Sequence, residues 1–176
     1  MKTKTTSPSN GHSAPVSSGH KRHTLHWTAA DRKAITDKLN GLLANYQVHY
    51  QKLRNYHWNV KGGDFFDLHV ELEAQYQEAQ LNIDLIAERI RVFRERPMSC
   101  MSEYLEHSSI KEDATVPAAD HMVKNLLADY VALLDFAVEA AELAMELQDM
   151  GTEEMVKGFI KQVEKHHWML SAFNAK

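Results

Sequence analysis

The sequence predicts an all-α fold: a bundle of four long helices, with a short helix in the connection between the middle two. Two observations carry this. Among 176 residues there are only 7 Gly and 4 Pro, whereas Ala, Leu, Glu, Gln and Lys are plentiful, a balance that favours helix over a many-turned β architecture. Apolar residues also recur at helical intervals in four long stretches separated by glycine, proline or polar breaks. With 44% hydrophobic residues, the chain has room for one domain with a real core and little more.

The first helix is expected near residues 30–58. Thr28 and Asp31 have the spacing of a capping box, with Asp replacing the usual Glu, and Ile35, Leu39, Leu42, Leu43, Tyr46, Tyr50 and Leu53 follow at helical intervals. Gly62 and Gly63 interrupt the pattern, and Asp64 can cap a second helix carrying Phe65, Leu68, Leu72, Tyr76, Ala79, Ile83, Ile86 and Ile90. That helix should stop before Pro97. Between Pro97 and Pro117 there is no sustained period, but SEYLEH from Ser102 can make a short crossing helix. A connection this long suits a bundle whose middle helices run parallel. A third helix from about 118 carries Met122, Leu126, Leu127, Tyr130, Leu133 and Leu134, with Gly151 as its expected stop. Thr152 then caps a fourth, with Met155, Phe159, Ile160, Val163, His167 and Leu170 on one side. No internal repeat is evident.

The single cysteine, Cys100, excludes an internal disulfide, and no apolar stretch is long enough to span a bilayer. A reducing cytosol fits both facts. The N-terminus lacks the apolar segment of a secretory signal, although its basic, Ser/Thr-rich, acid-free character has a faint likeness to an organelle transit peptide. Residues 1–27 read as a flexible tail and 28–176 as the bundle domain, because the tail is rich in Ser, Thr, Gly and Pro and too poor in large apolar groups to offset its ordering entropy. Charge divides the same way. Lys2, Lys4, Lys21 and Arg22 face no acid in residues 1–30, which leaves −8 on the remainder against a net of −4 for the chain.

Chemistry is suggested by HWNVKGGDFFDLH, residues 57–69, and by two i, i+4 pairs on the second helix: His69 with Glu73, and Asp84 with Glu88. Each pair points one way and can share an ion. Glu73 and Asp84 are eleven residues apart and so differ by only about 20° around the axis. Yet fifteen residues separate His69 from Asp84, roughly 22 Å of helix, while ligands must lie within about 2–2.5 Å of a metal. One chain cannot close one site with both pairs. Either the pairs are independent, or a second copy packs antiparallel about a two-fold axis near residues 78 and 79 and builds two equivalent sites per dimer. His57 could then join from its own chain. Two imidazoles with three carboxylates suit iron, since nitrogen raises affinity for a transition metal and oxygen stabilises Fe(III) as it forms. The plainer alternative is a set of solvated or hydrogen-bonded surface groups. An intrachain di-iron site needs two Glu-x-x-His motifs, and only Glu164 to His167 has that spacing.

The run NYHWNVKGGDFFDLHVELEAQYQEAQLNIDLIAERI, with SEYLEHSSI in the connection and EKHHWMLSAF near the end, closely resembles the Dps family of mini-ferritins over nearly all of residues 30–174. The resemblance implies a ferritin-like bundle assembled as a hollow dodecameric shell with tetrahedral symmetry. In that family Fe(II) is oxidised at subunit interfaces, preferably by hydrogen peroxide, and Fe(III) mineral is stored inside. By position, His57, His69 and Glu73 would come from one subunit, and Asp84 and Glu88 from its two-fold mate. Glu73 stands where many members have Asp, which lengthens the carboxylate arm. Trp58 matches a tryptophan that can donate an electron when one iron is bound; its alternative role is filling the dimer interface.

The resemblance also implies an acidic, iron-admitting channel near the junction of the third and fourth helices. Here that junction reads MELQDMGTEEM and offers Glu146, Asp149, Glu153 and Glu154. The alternative is a solvated acidic helix start, favourable to the helix dipole. Lys2, Lys4, Lys21 and Arg22 resemble in character the basic arms through which many members bind DNA without sequence preference, twelve arms acting by avidity. His12, His20, His23 and His26 in the same arm could bind zinc, as could the ferroxidase site itself, or the four could simply belong to a polar tail. Two functional classes follow: a cytoplasmic ferroxidase and iron store that protects DNA at the nucleoid, and a DNA-compacting structural protein whose metal site is weak or altered.

Overall fold

The computed structural model describes residues 27–175; Lys2, Lys4, His12, His20, Lys21, Arg22, His23 and His26 lie outside the described residues. Five helices follow one another: α1 (Ala29–Asn59), α2 (Phe65–Val92), α3 (Met101–His107), α4 (Ala119–Glu146) and α5 (Met150–Asn174). Among the described residues there is no strand, and no helix is long and apolar enough to cross a membrane.

Thr28 caps α1 as expected: its hydroxyl accepts from Asp31 N–H at 3.1 Å, and Asp31 Oδ2 accepts from Thr28 N–H at 2.9 Å. The helix then buries Leu39, Leu42, Leu43 and Leu53 completely, each contributing about 1.5–3 kcal/mol relative to exposure. Gly62, at φ +110°, turns the chain in a left-handed conformation that suits glycine. Asp64 occupies the N-cap position of α2 but makes no side-chain cap bond. Five residues before Pro97 the helix ends, with Arg94 left-handed at φ 66° and Phe93 buried.

Pairings across the bundle fix its directions. Lys38 meets Glu139 and Lys52 meets Asp129, so α1 and α4 are antiparallel; Asn82 meets Gln162 and Glu78 meets His166, so α2 and α5 are antiparallel too. The long connection lies against α1. Fully buried Asn45 receives N–H bonds from Ser109 and Ile110 at 3.0 Å each, and Tyr56 donates to Asp113 at 2.6 Å. Such side-chain bonds replace the backbone partners that an irregular segment lacks.

The α4–α5 turn departs from the sequence reading. Asp149, not Thr152, caps α5: its Oδ1 accepts from Thr152 N–H at 3.2 Å. Gly151 is not a stop but lies in the first turn of α5. A Cβ there would meet the Arg89 guanidinium at 3.0 Å. Arg89 reaches into the turn, pairing with Asp149 and donating from Nε to the Thr152 hydroxyl at 2.8 Å. Trp27, assigned by its sequence position to the end of the tail, is buried here, tilted against Phe93 and donating its indole N–H to Leu147 O at 3.4 Å.

Candidate metal centre

The α1–α2 turn brings His57, in the last turn of α1, against His69 in α2. Their rings stack with centroids 3.8 Å apart and planes 19° apart. His57 Nδ1 faces His69 O at 2.7 Å, and His69 Nδ1 faces His57 O at 2.9 Å. A carbonyl only accepts, so each Nδ1 must carry the proton. In the neutral ring each Nε2 then keeps its lone pair, the form that binds a metal. Phe65 stacks on His69 at 5.0 Å and the Tyr76 edge abuts His57 at 5.3 Å, which restrict ring rotation. His57 is buried and His69 half-buried.

Glu73 stands one turn beyond His69. Its Oε1 accepts from Tyr76 Oη at 3.4 Å and Gln77 Nε2 at 3.3 Å, an orienting pair that adjacency in the sequence did not reveal. Asp84 and Glu88 are exposed on α2. Among the described residues no three His, Cys, Asp or Glu side chains gather in a metal-binding group, so His57, His69 and Glu73 do not form one within the single chain. What the chain presents is a nitrogen-rich half and a separate carboxylate half on the same helix.

Exposed apolar side chains flank both halves. Phe66 is 78% and Leu81 66% exposed, with Val70 and Leu85 also open to solvent. Trp58, 57% exposed, lies outside the core, with the Arg54 guanidinium 4.7 Å above its ring.

The acidic junction separates into unlike members. Asp149 is fully buried, caps α5 and neutralises Arg89, so it is withdrawn from the set of free channel carboxylates. Glu153 is half-buried and paired with Lys157. Glu146 and Glu154 remain exposed.

A family profile described as the ferritin-like domain matches residues 36–176. The DNA protection during starvation protein 2 of Bacillus anthracis is 40% identical over 141 residues, covering 80% of this chain and 97% of that protein. The solved Dps of Vibrio cholerae, described as a member of a broad superfamily of ferritin-like diiron-carboxylate proteins, superposes with a TM-score of 0.81 at 38% identity, covering 83% of this chain and 92% of that one. Dps from Bacillus brevis gives a TM-score of 0.81 at 36% identity, covering 85% and 100% respectively. The match extends along both chains and includes the turn and helix that carry His57, His69, Glu73, Asp84 and Glu88. The chain belongs to the Dps family of ferritin-like proteins.

Proposed function

We propose that this protein oxidises Fe(II) at ferroxidase centres shared between two-fold-related subunits and stores the Fe(III) product inside a homododecamer. The observation that carries this reading is the division of one plausible donor set along α2. His57 and His69 each turn Nδ1 to a carbonyl and leave Nε2 for a metal, while Asp84 and Glu88 are exposed roughly 22 Å further along the helix. An antiparallel second copy would cover the apolar residues Phe66, Val70, Leu81 and Leu85 and bring unlike halves together twice.

The donors suit iron as substrate. Two neutral imidazoles bind Fe(II), and the carboxylates of Glu73, Asp84 and Glu88 favour the ferric product by charge. With hydrogen peroxide as oxidant, two Fe(II) give up one electron each, the O–O bond breaks, and two protons complete two waters. Taking both electrons in one event avoids releasing hydroxyl radical, which joins iron storage to DNA protection. Trp58, next to His57 in sequence, would supply one electron when a single iron is bound. Glu146 and Glu154, with Glu153 if Lys157 swings away, would draw cations toward the shell. The basic tail, through Lys2, Lys4, Lys21 and Arg22, would hold DNA without reading sequence; a cytoplasmic, nucleoid-associated particle follows from that reading.

The test is peroxide-driven Fe(II) oxidation by the wild type and by an Asp84→Ala, Glu88→Ala double variant. The double variant is expected to lose the fast phase. Undiminished oxidation would refute the site and leave DNA compaction as the function.

A further inference from the structure

His166 of α5 is held between two carboxylates of α2, on the opposite side of that helix from the ferroxidase residues. Its Nε2 pairs with Glu78 Oε1 at 2.8 Å. On the other edge Nδ1 is shielded from solvent and has no hydrogen-bond partner; Glu71 Oε1 lies 3.7 Å away, too far for a hydrogen bond. In the neutral ring, with Glu78 accepting the Nε2 proton, Nδ1 carries the lone pair, and a cation at Nδ1 selects that form over the doubly protonated one. A buried acceptor opposite a carboxylate is unfavourable unless something positive lies between them.

The spacing identifies what fits. Two donors each about 2.1 Å from a tetrahedral divalent ion are roughly 3.4 Å apart, close to the 3.7 Å gap between Nδ1 and Glu71. Glu71 is itself oriented, since its Oε1 accepts from Gln75 Nε2 at 2.7 Å while Gln75 Oε1 accepts from Tyr130 at 2.6 Å. Beside His166 a cavity of about 10 Å³, lined also by Tyr46, Glu78 and Tyr130, has the volume of about one water. The buried Tyr46 hydroxyl likewise lacks a partner. Glu71 does not line that cavity but is 30% exposed, so the remaining ligands of an ion between it and Nδ1 are waters from the solvent side, and the site is weak and exchangeable.

We propose that Glu71 and His166 Nδ1 form a second site for a first-row divalent cation, with Glu78 as the carboxylate that orients the imidazole from behind. Glu71 lies about 200° around the α2 axis from both His69 and Glu73, so the two sites stand back to back across one helix. This assignment does not rest on the ferroxidase reading.

Zinc(II) is the probe, applied to the assembled full-length protein carrying Asp84→Ala and Glu88→Ala, so that any zinc bound by the tail is common to every sample. Adding Glu71→Gln, which leaves the Glu78–His166 pair intact, is expected to remove one zinc equivalent per chain in an isothermal titration. His166→Gln should do the same, and Glu78→Gln should weaken that equivalent about ten- to a hundredfold, as loss of an orienting carboxylate does. Anomalous diffraction from zinc-soaked crystals should place the ion about 2.0–2.2 Å from Nδ1 and from a Glu71 oxygen. Equal zinc uptake by the Glu71→Gln variant would overturn the proposal. So would density showing only water, or a doubly protonated imidazole bonded to both carboxylates, at millimolar zinc.

Discussion

His57 and His69 clasp each other through the backbone: each ring's Nδ1–H donates to the other residue's carbonyl, at 2.7 and 2.9 Å, with the rings stacked 3.8 Å apart. The α1–α2 turn is thus tied at the very residues proposed as the nitrogen ligands. Folding of the turn and orientation of the two rings become one event, and the neutral tautomer of each ring is set by the carbonyl it faces.

Replacing His69 with Gln removes one proposed ligand and one half of this clasp. The expected outcome is a loss of Fe(II) or Zn(II) affinity of at least about ten- to a hundredfold, the scale already seen when only a ligand's orienting partner is removed. Helix content measured by circular dichroism should be unchanged, because α1 and α2 keep their buried leucines and isoleucines.

Asp149 and the exposed acids of the same junction should behave oppositely. Asp149→Ala strands Arg89 inside the protein and deletes a helix cap; breaking such a buried pair costs about 3–5 kcal/mol. Thermal denaturation should show a large drop in Tm. Glu146→Ala with Glu154→Ala should leave Tm within a degree or two and slow iron uptake, most visibly at low ionic strength.

How the junction was misread shows what a sequence conceals. Gly151 has the look of a helix stop, and Thr152 of a cap, by every local rule. The glycine instead makes room for a guanidinium sixty-two residues earlier in the chain, and no local pattern carries that contact. The Thr28–Asp31 box was legible because all its bonds lie within four residues. The spacing of Asp84 and Glu88 was also legible, since helix geometry alone places them out of reach of His69. The proton positions on His57 and His69 were not, because they depend on two carbonyls brought together by the turn. No local pattern marks Glu71, Glu78 and His166 as a group, because only the packing of α5 on α2 joins them.

Acid should weaken the fold through His49. Burial, opposed in part by its bond to Asp129 at 3.1 Å, holds the imidazole below its ordinary value of 6.5, with Lys52 and His166 pressing the same way as burial. The unfolded chain therefore binds a proton first as pH falls. The contribution is fully present above pH 6.5 and is lost progressively below it, down to the folded value. Urea midpoints should fall between pH 7.5 and 5, and His49→Gln should flatten that slope even if it lowers the midpoint overall.

Removing residues 1–26 should abolish a salt-sensitive DNA gel shift and leave iron oxidation intact. An unchanged shift would take DNA binding away from Lys2, Lys4, Lys21 and Arg22.

Subunit sharing is the central claim, and mixing tests it most directly. Assembled shells should run near 241 kDa, twelve chains of 20.1 kDa, which checks that the shells re-form after dissociation. A His57→Ala, His69→Ala variant and an Asp84→Ala, Glu88→Ala variant should each lack rapid Fe(II) oxidation. When they are dissociated, mixed equally and reassembled, half of the dimers contain one of each, and one of the two sites in such a dimer is whole. About a quarter of wild-type activity should return by the symmetry of the interface. Mixtures no more active than the separate variants would contradict the shared site.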